Sequence, residues 1–138
     1  MLVILFCLVM MLFTVSIHVF GIYFISNIEK HLLNNAKPGI ASESILFSVL
    51  SCLLMVVHLF AIFVWAIGYF FILDIPVFGN AFFYSLSSYS TVGIYSTGPA
   101  GEMGRLTGAF ESCVGMLMFG LSVSYLFAVR DNIRRKLS

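Results

Sequence analysis

One stretch of sequence decides the fold of this chain: Phe83-Tyr84-Ser85-Leu86-Ser87-Ser88-Tyr89-Ser90-Thr91-Val92-Gly93-Ile94-Tyr95-Ser96. Its first part belongs to an amphipathic segment at residues 80–90, which is too short to cross a bilayer, since a crossing helix needs about 20 residues. Its second part leads into the glycine-containing residues 91–104, which are predicted to be non-helical. Irregular backbone at membrane depth is tolerated only where it is buried in protein or lines water. Between two membrane spans, the stretch therefore predicts a short re-entrant helix and a loop beside water.

The composition indicates that the chain lies in a lipid bilayer. Of its 138 residues, 61% are hydrophobic and 9% are charged, whereas about a quarter of the residues in a soluble domain are charged. The formal net charge of +1 provides no basic surface, which excludes nucleic-acid binding. Because helices satisfy their own backbone hydrogen bonds in lipid, the chain is predicted to be an all-α membrane protein.

Three apolar segments are long enough to cross the membrane as helices. They are residues 1–26, 44–73 and 104–129. A cleaved signal peptide is the alternative for the first segment, but it would need a basic start, a shorter apolar core and a small-residue cleavage site. At the end of the second segment, an interfacial aromatic belt is predicted from Trp65, Tyr69 and Phe70.

Polar residues define the predicted topology. Basic residues mark the C-terminus, namely Arg130, Arg134, Arg135 and Lys136. By the positive-inside tendency, the basic tail at 131–138 is cytoplasmic. Counting back through three spans, the polar connector at residues 27–43 is also cytoplasmic, residues 74–104 open outward, and the N-terminus lies outside.

The stretch at residues 83–96 resembles the pore helix and selectivity filter of potassium channels. Thr91-Val92-Gly93 matches the inner part of a filter in which backbone carbonyls and a threonine hydroxyl replace the water shell of the ion. The distances from Thr91 to Gly104-Arg105-Leu106, and on to Gly115, match the spacing from filter to inner helix and hinge glycine in two-pass bacterial potassium channels. The resemblance covers about residues 45–130. Trp65 and Phe119-Gly120-Leu121-Ser122 also resemble small bacterial ion channel proteins that have one extra N-terminal span.

This resemblance implies a tetrameric potassium-channel-like pore built from three transmembrane helices, a re-entrant pore helix and a filter loop. An N-terminal transmembrane helix at 1–26 would precede the pore domain at 44–130. The parts of the pore domain are the outer helix at 44–73, the pore helix at 80–90, the filter at 91–95 and the inner helix at 104–129. One filter strand per chain implies a homotetramer that conducts monovalent cations passively. The permeating ion is expected to be K⁺, with Na⁺ as the alternative, and no cofactor or bound metal is expected beyond permeating ions.

The filter Thr91-Val92-Gly93-Ile94-Tyr95 departs from the family at Tyr95, where a potassium filter usually has its second glycine. That glycine takes a positive φ, which a non-glycine residue reaches at a cost of about 1 kcal/mol or more. The outer sites from Ile94 and Tyr95 are therefore expected to differ in shape, and the hypothesis is weakened selectivity for K⁺ over Na⁺. The alternatives are a filter that stays potassium-selective, a non-selective cation channel and a channel-like membrane subunit that does not conduct.

Seven residues, all small or polar except one phenylalanine, form a stripe along the third span, within about 100° of one another. They are Gly104, Gly108, Glu111, Ser112, Gly115, Phe119 and Ser122. The stripe is predicted to pack against the pore helix and the second span, because small residues permit close approach. By the resemblance, the residues that line the cavity are Met116, Phe119, Val123 and Phe127. Gly115 matches the gating hinge, and a glycine needed only for close packing is the alternative.

Glu111 is an ionisable residue inside a predicted span, and such groups are costly unless they are paired or face water. We expect it to brace the filter from behind, in its protonated form, through hydrogen bonds to the pore-helix hydroxyls or to Tyr95. Ser87 and Ser88 are the other residues expected to brace the filter. The alternative is a carboxylate that reaches the outer aqueous vestibule.

His18 and His58 lie in the first and second spans, where a proton-sensing or metal-binding pair is conceivable. Two nitrogen ligands alone do not form a convincing zinc site. The prediction is therefore that each histidine forms hydrogen bonds that join helices.

No arrangement of catalytic residues is visible, so the chain is not expected to be an enzyme. It also has no arginine-rich span that would sense voltage. The opening of the pore is expected to be modulated by the first span or by a separate regulatory partner protein. By the resemblance, the chain belongs in the cell membrane, as a multi-pass protein of a bacterial inner membrane.

Overall fold

The structure, a computed structural model, describes residues 2–35, 39–94, 96–99 and 101–137, without the side chains of residues 35, 40 and 134–137. This part of the chain forms four helices and no strand. They are α1 (Leu2–Asn35), α2 (Ile40–Phe71), α3 (Phe78–Tyr89) and α4 (Gly101–Leu137). Helices α1, α2 and α4 are each long and apolar enough to cross a membrane. The prediction of an all-α membrane protein with three spans is confirmed.

The first two helices extend into the predicted connector at residues 27–43. Helix α1 continues to Asn35 rather than ending at residue 26, and α2 begins at Ile40 rather than at residue 44. The sequence contains no glycine or proline between residue 22 and residue 37, so the loss of hydrophobicity after residue 26 does not end the helix. Polarity therefore marked the end of the apolar run and not the end of the helical backbone.

The other helix ends also differ from the prediction. Helix α4 begins at Gly101, before residue 104. It continues beyond residue 129 to Leu137, because arginine, lysine and leucine favour helix and no glycine or proline follows Gly120. The tail at 131–138 is therefore helical in its described part. Helix α2 ends at Phe71 rather than at residue 73, and α3 spans Phe78–Tyr89 rather than 80–90.

Two of the three residues predicted to form an interfacial belt, Trp65 and Tyr69, lie inside the protein, whereas Phe70 is partly buried. Trp65 and Tyr69 are fully buried, and they pack with Phe6 of α1 and Tyr84 of α3. The indole N–H of Trp65 donates to the hydroxyl of Thr14 on α1, at 2.8 Å. The prediction was wrong because α1, which lies outside the two-pass pattern, covers this face of α2 and supplies a polar partner.

Helix α3 packs between α2 and α4, and α1 packs against α2 and α4. A cluster of Ile62, Tyr89 and Met118 joins α2, α3 and α4 at the end of α3. Further along, the Tyr125 hydroxyl of α4 donates to Glu29 of α1 at 2.7 Å. Large apolar side chains remain exposed along the outer faces, as expected for surfaces that contact lipid.

Candidate functional site

The segment after α3 folds back onto the last turn of that helix. The Thr91 N–H donates to the carbonyl oxygen of Ser88 at 2.9 Å, and the Gly93 N–H donates to that of Ser87 at 3.1 Å. The Ile94 N–H donates to the Ser87 hydroxyl at 2.6 Å. The non-helical loop at 91–94 is thus held by the C-terminal end of α3, and the predicted short helix followed by a loop is observed.

Two residues in this loop have a left-handed backbone conformation. Gly93 has φ 72° and Thr91 has φ 64°. Glycine adopts this conformation without a Cβ clash, whereas it is unfavourable for a β-branched residue such as threonine. Val92, between them, is 65% exposed, and Ile94 is also exposed. Tyr95 lies outside the described residues, so the expected change of filter shape there stays a prediction.

Ser87 and Ser88 contact the loop in different ways. Ser87 accepts the Ile94 N–H through its side chain. Ser88 acts through its carbonyl oxygen, which accepts from the hydroxyl of Ser112 on α4 at 2.6 Å and from the Thr91 N–H. The Ser88 hydroxyl is buried and has no hydrogen-bond partner in the described part of the chain.

Glu111 is completely buried and joins three helices. One carboxyl oxygen lies 2.5 Å from the Ser85 hydroxyl of α3, and the other accepts from the Tyr69 hydroxyl of α2 at 2.7 Å. Ser85 also lies 2.9 Å from the Ile62 carbonyl oxygen. Ser85 has only one hydroxyl hydrogen, so a neutral carboxyl group that donates to Ser85 would satisfy all these oxygens at once.

Glu111 contacts a hydroxyl of the short helix as expected, and this hydroxyl belongs to Ser85. Ser87 and Ser88, also predicted to brace the filter, instead contact Ile94 and Ser112. The contacts between α3 and α4 advance along both helices in the same direction: Ser85 contacts Glu111, and Ser88 contacts Ser112. Glu111 lies nearer the start of α3, at the level of Ser85. Ser85 and Tyr69 were missed because helical spacing on α4 does not give the register between helices.

The stripe on α4 packs against α3 and α2 as predicted. The carbonyl oxygen of Gly104 accepts a hydrogen bond from Tyr84, and Ser112 bonds to Ser88. At Gly115 the Tyr89 carbonyl lies so close that an added Cβ would overlap it. Helix α4 is continuous through Gly115, so the observed contact is a close approach of two helices, while the role of hinge stays a prediction.

The predicted cavity-lining residues lie on an exposed face of α4. All four are at least one-third exposed, namely Met116, Phe119, Val123 and Phe127. Phe119 also stacks on the ring of His58, with centroids 4.3 Å apart. This face is therefore apolar and largely uncovered within one chain.

His18 and His58 contact each other, and the prediction that they join helices is confirmed. Nε2 of His18 lies 3.2 Å from Nδ1 of His58. His58 also contacts the hydroxyl of Tyr89 on α3 and that of Ser122 on α4, each at 3.0 Å. Among the described residues, no group of three or more histidine, cysteine or acidic side chains is placed to hold a metal ion.

These features define a class: a multi-span helical membrane protein in which a short helix and an irregular loop are inserted between two spans. The family model described as "Ion channel" matches residues 52–130, from within α2 to the last part of α4. Because the match covers more than half of the chain, the chain belongs to this ion channel family. No curated protein and no solved structure matches it significantly.

Substitution at Gly115 tests whether its small size is needed for packing. Gly115→Ala is expected to lower the thermal unfolding midpoint in detergent, because the new methyl group would displace the Tyr89 carbonyl. The control is Gly120→Ala on the same helix, where nothing lies within 4 Å and the better helix propensity of alanine, about 1 kcal/mol, should raise stability or leave it unchanged. Equal stability of the two variants would contradict the close-packing role.

Substitution of Glu111 tests its role in joining the helices. Glu111→Ala should lower the unfolding midpoint strongly, by the equivalent of about 2–4 kcal/mol, because it creates a cavity and leaves buried hydroxyls unpaired. Glu111→Gln retains an acceptor for Tyr69 and a donor for Ser85, and should unfold close to the wild-type midpoint. The exposed Glu102→Ala is the control. A Glu111→Ala midpoint equal to that of this control would show that the contacts are dispensable.

Proposed function

We propose that the chain is one subunit of a homotetrameric passive cation channel in which residues 91–95 of four copies form a potassium-conducting filter. The observation that carries the proposal is the loop at 91–94, held on the end of α3 with left-handed residues at Thr91 and Gly93. Membership of the ion channel family supports passive ion flow as the activity.

The backbone of this loop suits a row of carbonyl ligands. In a regular strand, successive carbonyl groups point in opposite directions, and a left-handed residue turns the adjoining peptide unit to the other side. The backbone conformation alternates here, because Thr91 and Gly93 are left-handed and Val92 between them is not. This alternation favours carbonyl groups that all face one axis, where they replace the water shell of an ion. The exposure of Val92 and Ile94 on a single chain is consistent with a surface that adjoins other copies.

The tetramer is supported by the fact that one chain supplies too few carbonyl groups to surround an ion. Each chain supplies one filter strand, and a ring of carbonyls around an ion requires several such strands. The exposed apolar face of α4, from Met116 to Phe127, would line the cavity below this ring. A symmetric closed assembly buries the same surface on every copy, as most homo-oligomers do.

The contacts behind the loop would make the filter rigid. Ser85 and Tyr69 hold Glu111, and Ser112 holds the last turn of α3 through Ser88. A site of this kind depends on supporting residues that are themselves fixed by packing and hydrogen bonds. Glu111 would thus brace the filter indirectly, through the position of α3, and Gly115 would permit both this close seating and bending of α4.

The proposed orientation follows from charge. The basic C-terminal residues would lie in the cytoplasm and the loop after α2 would open outward. The proposed location is the cell membrane of a bacterium, with lipid around the tetramer and monovalent cations in the pore.

A non-selective monovalent cation channel is the second candidate, favoured by Tyr95 in place of a filter glycine. The inner sites at Thr91, Val92 and Gly93 would remain, while the outer sites would be altered. Such a channel would share the assembly and the pore, and would differ in its permeability to Na⁺.

Ion flux from liposomes tests the proposed activity. Vesicles that contain the purified protein and are loaded with K⁺ should release it when a permeant counter-ion is supplied. Gly93→Ala should reduce the flux strongly, because alanine is unfavourable at the positive φ of this position. The control is Gly79→Ala, which has open space around its Cβ and should conduct like wild type. A tetrameric wild-type protein without flux would indicate a non-conducting subunit.

Ser87 provides a test of the loop as a filter. Ser87→Ala removes the acceptor of the Ile94 N–H, and loss of one hydrogen bond, about 1 kcal/mol, should lower the K⁺/Na⁺ permeability ratio about fivefold. The control is Ser90→Ala, because the Ser90 hydroxyl bonds back to the Leu86 carbonyl of α3 and not to residues 91–94. If both variants keep the wild-type permeability ratio, the loop does not determine selectivity.

A further inference from the structure

The two buried histidines connect α1, which lies outside the matched family region, to the end of α3 that carries the loop. His18 is fully buried and His58 is almost so. Their contacts reach Tyr89, the last residue of α3, and Ser122 of α4. Tyr89 is separated by a single residue from Thr91, where the left-handed segment begins. Tyr89 is thus the side chain that links the histidine pair to the end of α3, next to the loop.

The hydrogen-bond partners of the two histidines define which of their ring nitrogens carry hydrogen. Nδ1 of His18 faces the carbonyl oxygen of Thr14 at 3.3 Å, and a carbonyl can only accept, so this nitrogen carries hydrogen. In neutral His18, Nε2 is then an acceptor. Nδ1 of His58 faces both this nitrogen and the Tyr89 hydroxyl, at 3.2 and 3.0 Å. His18 and Tyr89 therefore compete for one position on His58.

In the neutral pair, Tyr89 keeps its contact with His58, either by sharing the Nδ1–H as an acceptor or by donating to the bare nitrogen. Donation by Tyr89 would leave two nitrogen lone pairs facing each other between the histidines. If His18 gains a proton and the hydrogen of neutral His58 is on Nε2, where the Ser122 hydroxyl accepts it, the Nε2–H of His18 donates to Nδ1 of His58. That nitrogen then has no second lone pair for Tyr89. One proton therefore removes the hydrogen bond between His58 and Tyr89.

We propose that His18 and His58 form a proton-binding site by which α1 controls the loop at 91–94, so that proton uptake reduces cation flow. The mechanism rests on the proposed channel function. Uptake releases Tyr89 from His58 and loosens the end of α3, on which the loop is held. It also places a positive charge on His18, whose ring lies against that of His58, and His58 stacks on Phe119 of the face proposed to line the cavity. This charge repels cations. Both effects act in the same direction.

The ionisable groups that face the pair are few. Among the described residues, Tyr89 of α3 faces the pair directly, and Glu111 is the buried acidic residue of α4. Helix α4 otherwise presents the uncharged Ser122 and Phe119 to the ring of His58. Glu111 is tied to Ser85 and Tyr69, so it cannot move to accompany the added proton.

Flux measurements on the full chain in liposomes test this site, with equal pH on both sides between about pH 8 and about pH 4, which brackets the usual histidine titration. For each variant, the flux at the acidic end of this pH range is divided by the flux at the alkaline end, and these ratios are compared, so differences in basal flux cancel. Wild-type flux should fall about fivefold or more on acidification, as expected for loss of one buried hydrogen bond. His18→Gln should abolish this response and Tyr89→Phe should reduce it, because only the charge effect remains, whereas His31→Gln near the C-terminal end of α1 should keep it.

Nuclear magnetic resonance of isotope-labelled histidine in the same membranes measures proton binding independently of flux. Ring-nitrogen signals that are lost in His18→Gln should shift with pH in the wild type and in Tyr89→Phe. The proposal is overturned if these signals do not change over the range, or if His18→Gln and Tyr89→Phe keep the wild-type acid response. Absence of flux at every pH would instead refute the channel function, and the resonance measurement would still decide whether the pair binds a proton.

Discussion

The buried carboxyl group of Glu111 is the constraint on which the arrangement of α2, α3 and α4 depends. An ionisable group inside a bilayer is costly without partners, and here hydroxyl groups from two other helices approach its two oxygens. Each buried polar group left unpaired would cost about 1–3 kcal/mol. Because Tyr69 and Ser85 must both reach Glu111, the three helices have little freedom to slide past one another.

The position of the loop follows from this register. With Ser85 at the level of Glu111, Ser88 comes to the level of Ser112, and the carbonyl end of α3 comes against Gly115. Small residues on α4 make this approach possible, because larger side chains would hold the helices apart. The chain then leaves α3 in a left-handed turn whose amide groups are held by Ser87 and Ser88. The geometry of the loop is thus a consequence of helix packing some distance behind it.

The first helix adds a second set of polar contacts. Its residues Thr14 and His18 meet Trp65 and His58 of α2, and the path continues to α3 and α4. Contacts of this kind inside a membrane are few and directional, so they define how α1 lies against the other helices. Helix α1 is therefore a specifically packed element and not only an anchor in lipid.

Much of this architecture could be predicted from the sequence, because hydrophobic length gives spans and the segment before Thr91 is too short to be one. The α4 stripe and the helix-joining role of His18 and His58 followed from helical spacing and the cost of polar groups in lipid. Helix ends could not be predicted, because arginine and lysine continue a helix beyond its apolar part. The burial of Trp65 and the pairing of Glu111 with Ser85 depend on which helix faces which, and one sequence does not contain that register.

The central claim is that a filter formed by residues 91–95 passes potassium ions in preference to sodium ions, and the reversal potential of the current tests it most directly. The purified protein would be placed in a planar bilayer with K⁺ concentrated on one side and Na⁺ on the other. The account predicts a reversal close to the potassium equilibrium potential. A reversal near zero, which indicates equal permeability to the two ions, would contradict it and favour the non-selective channel.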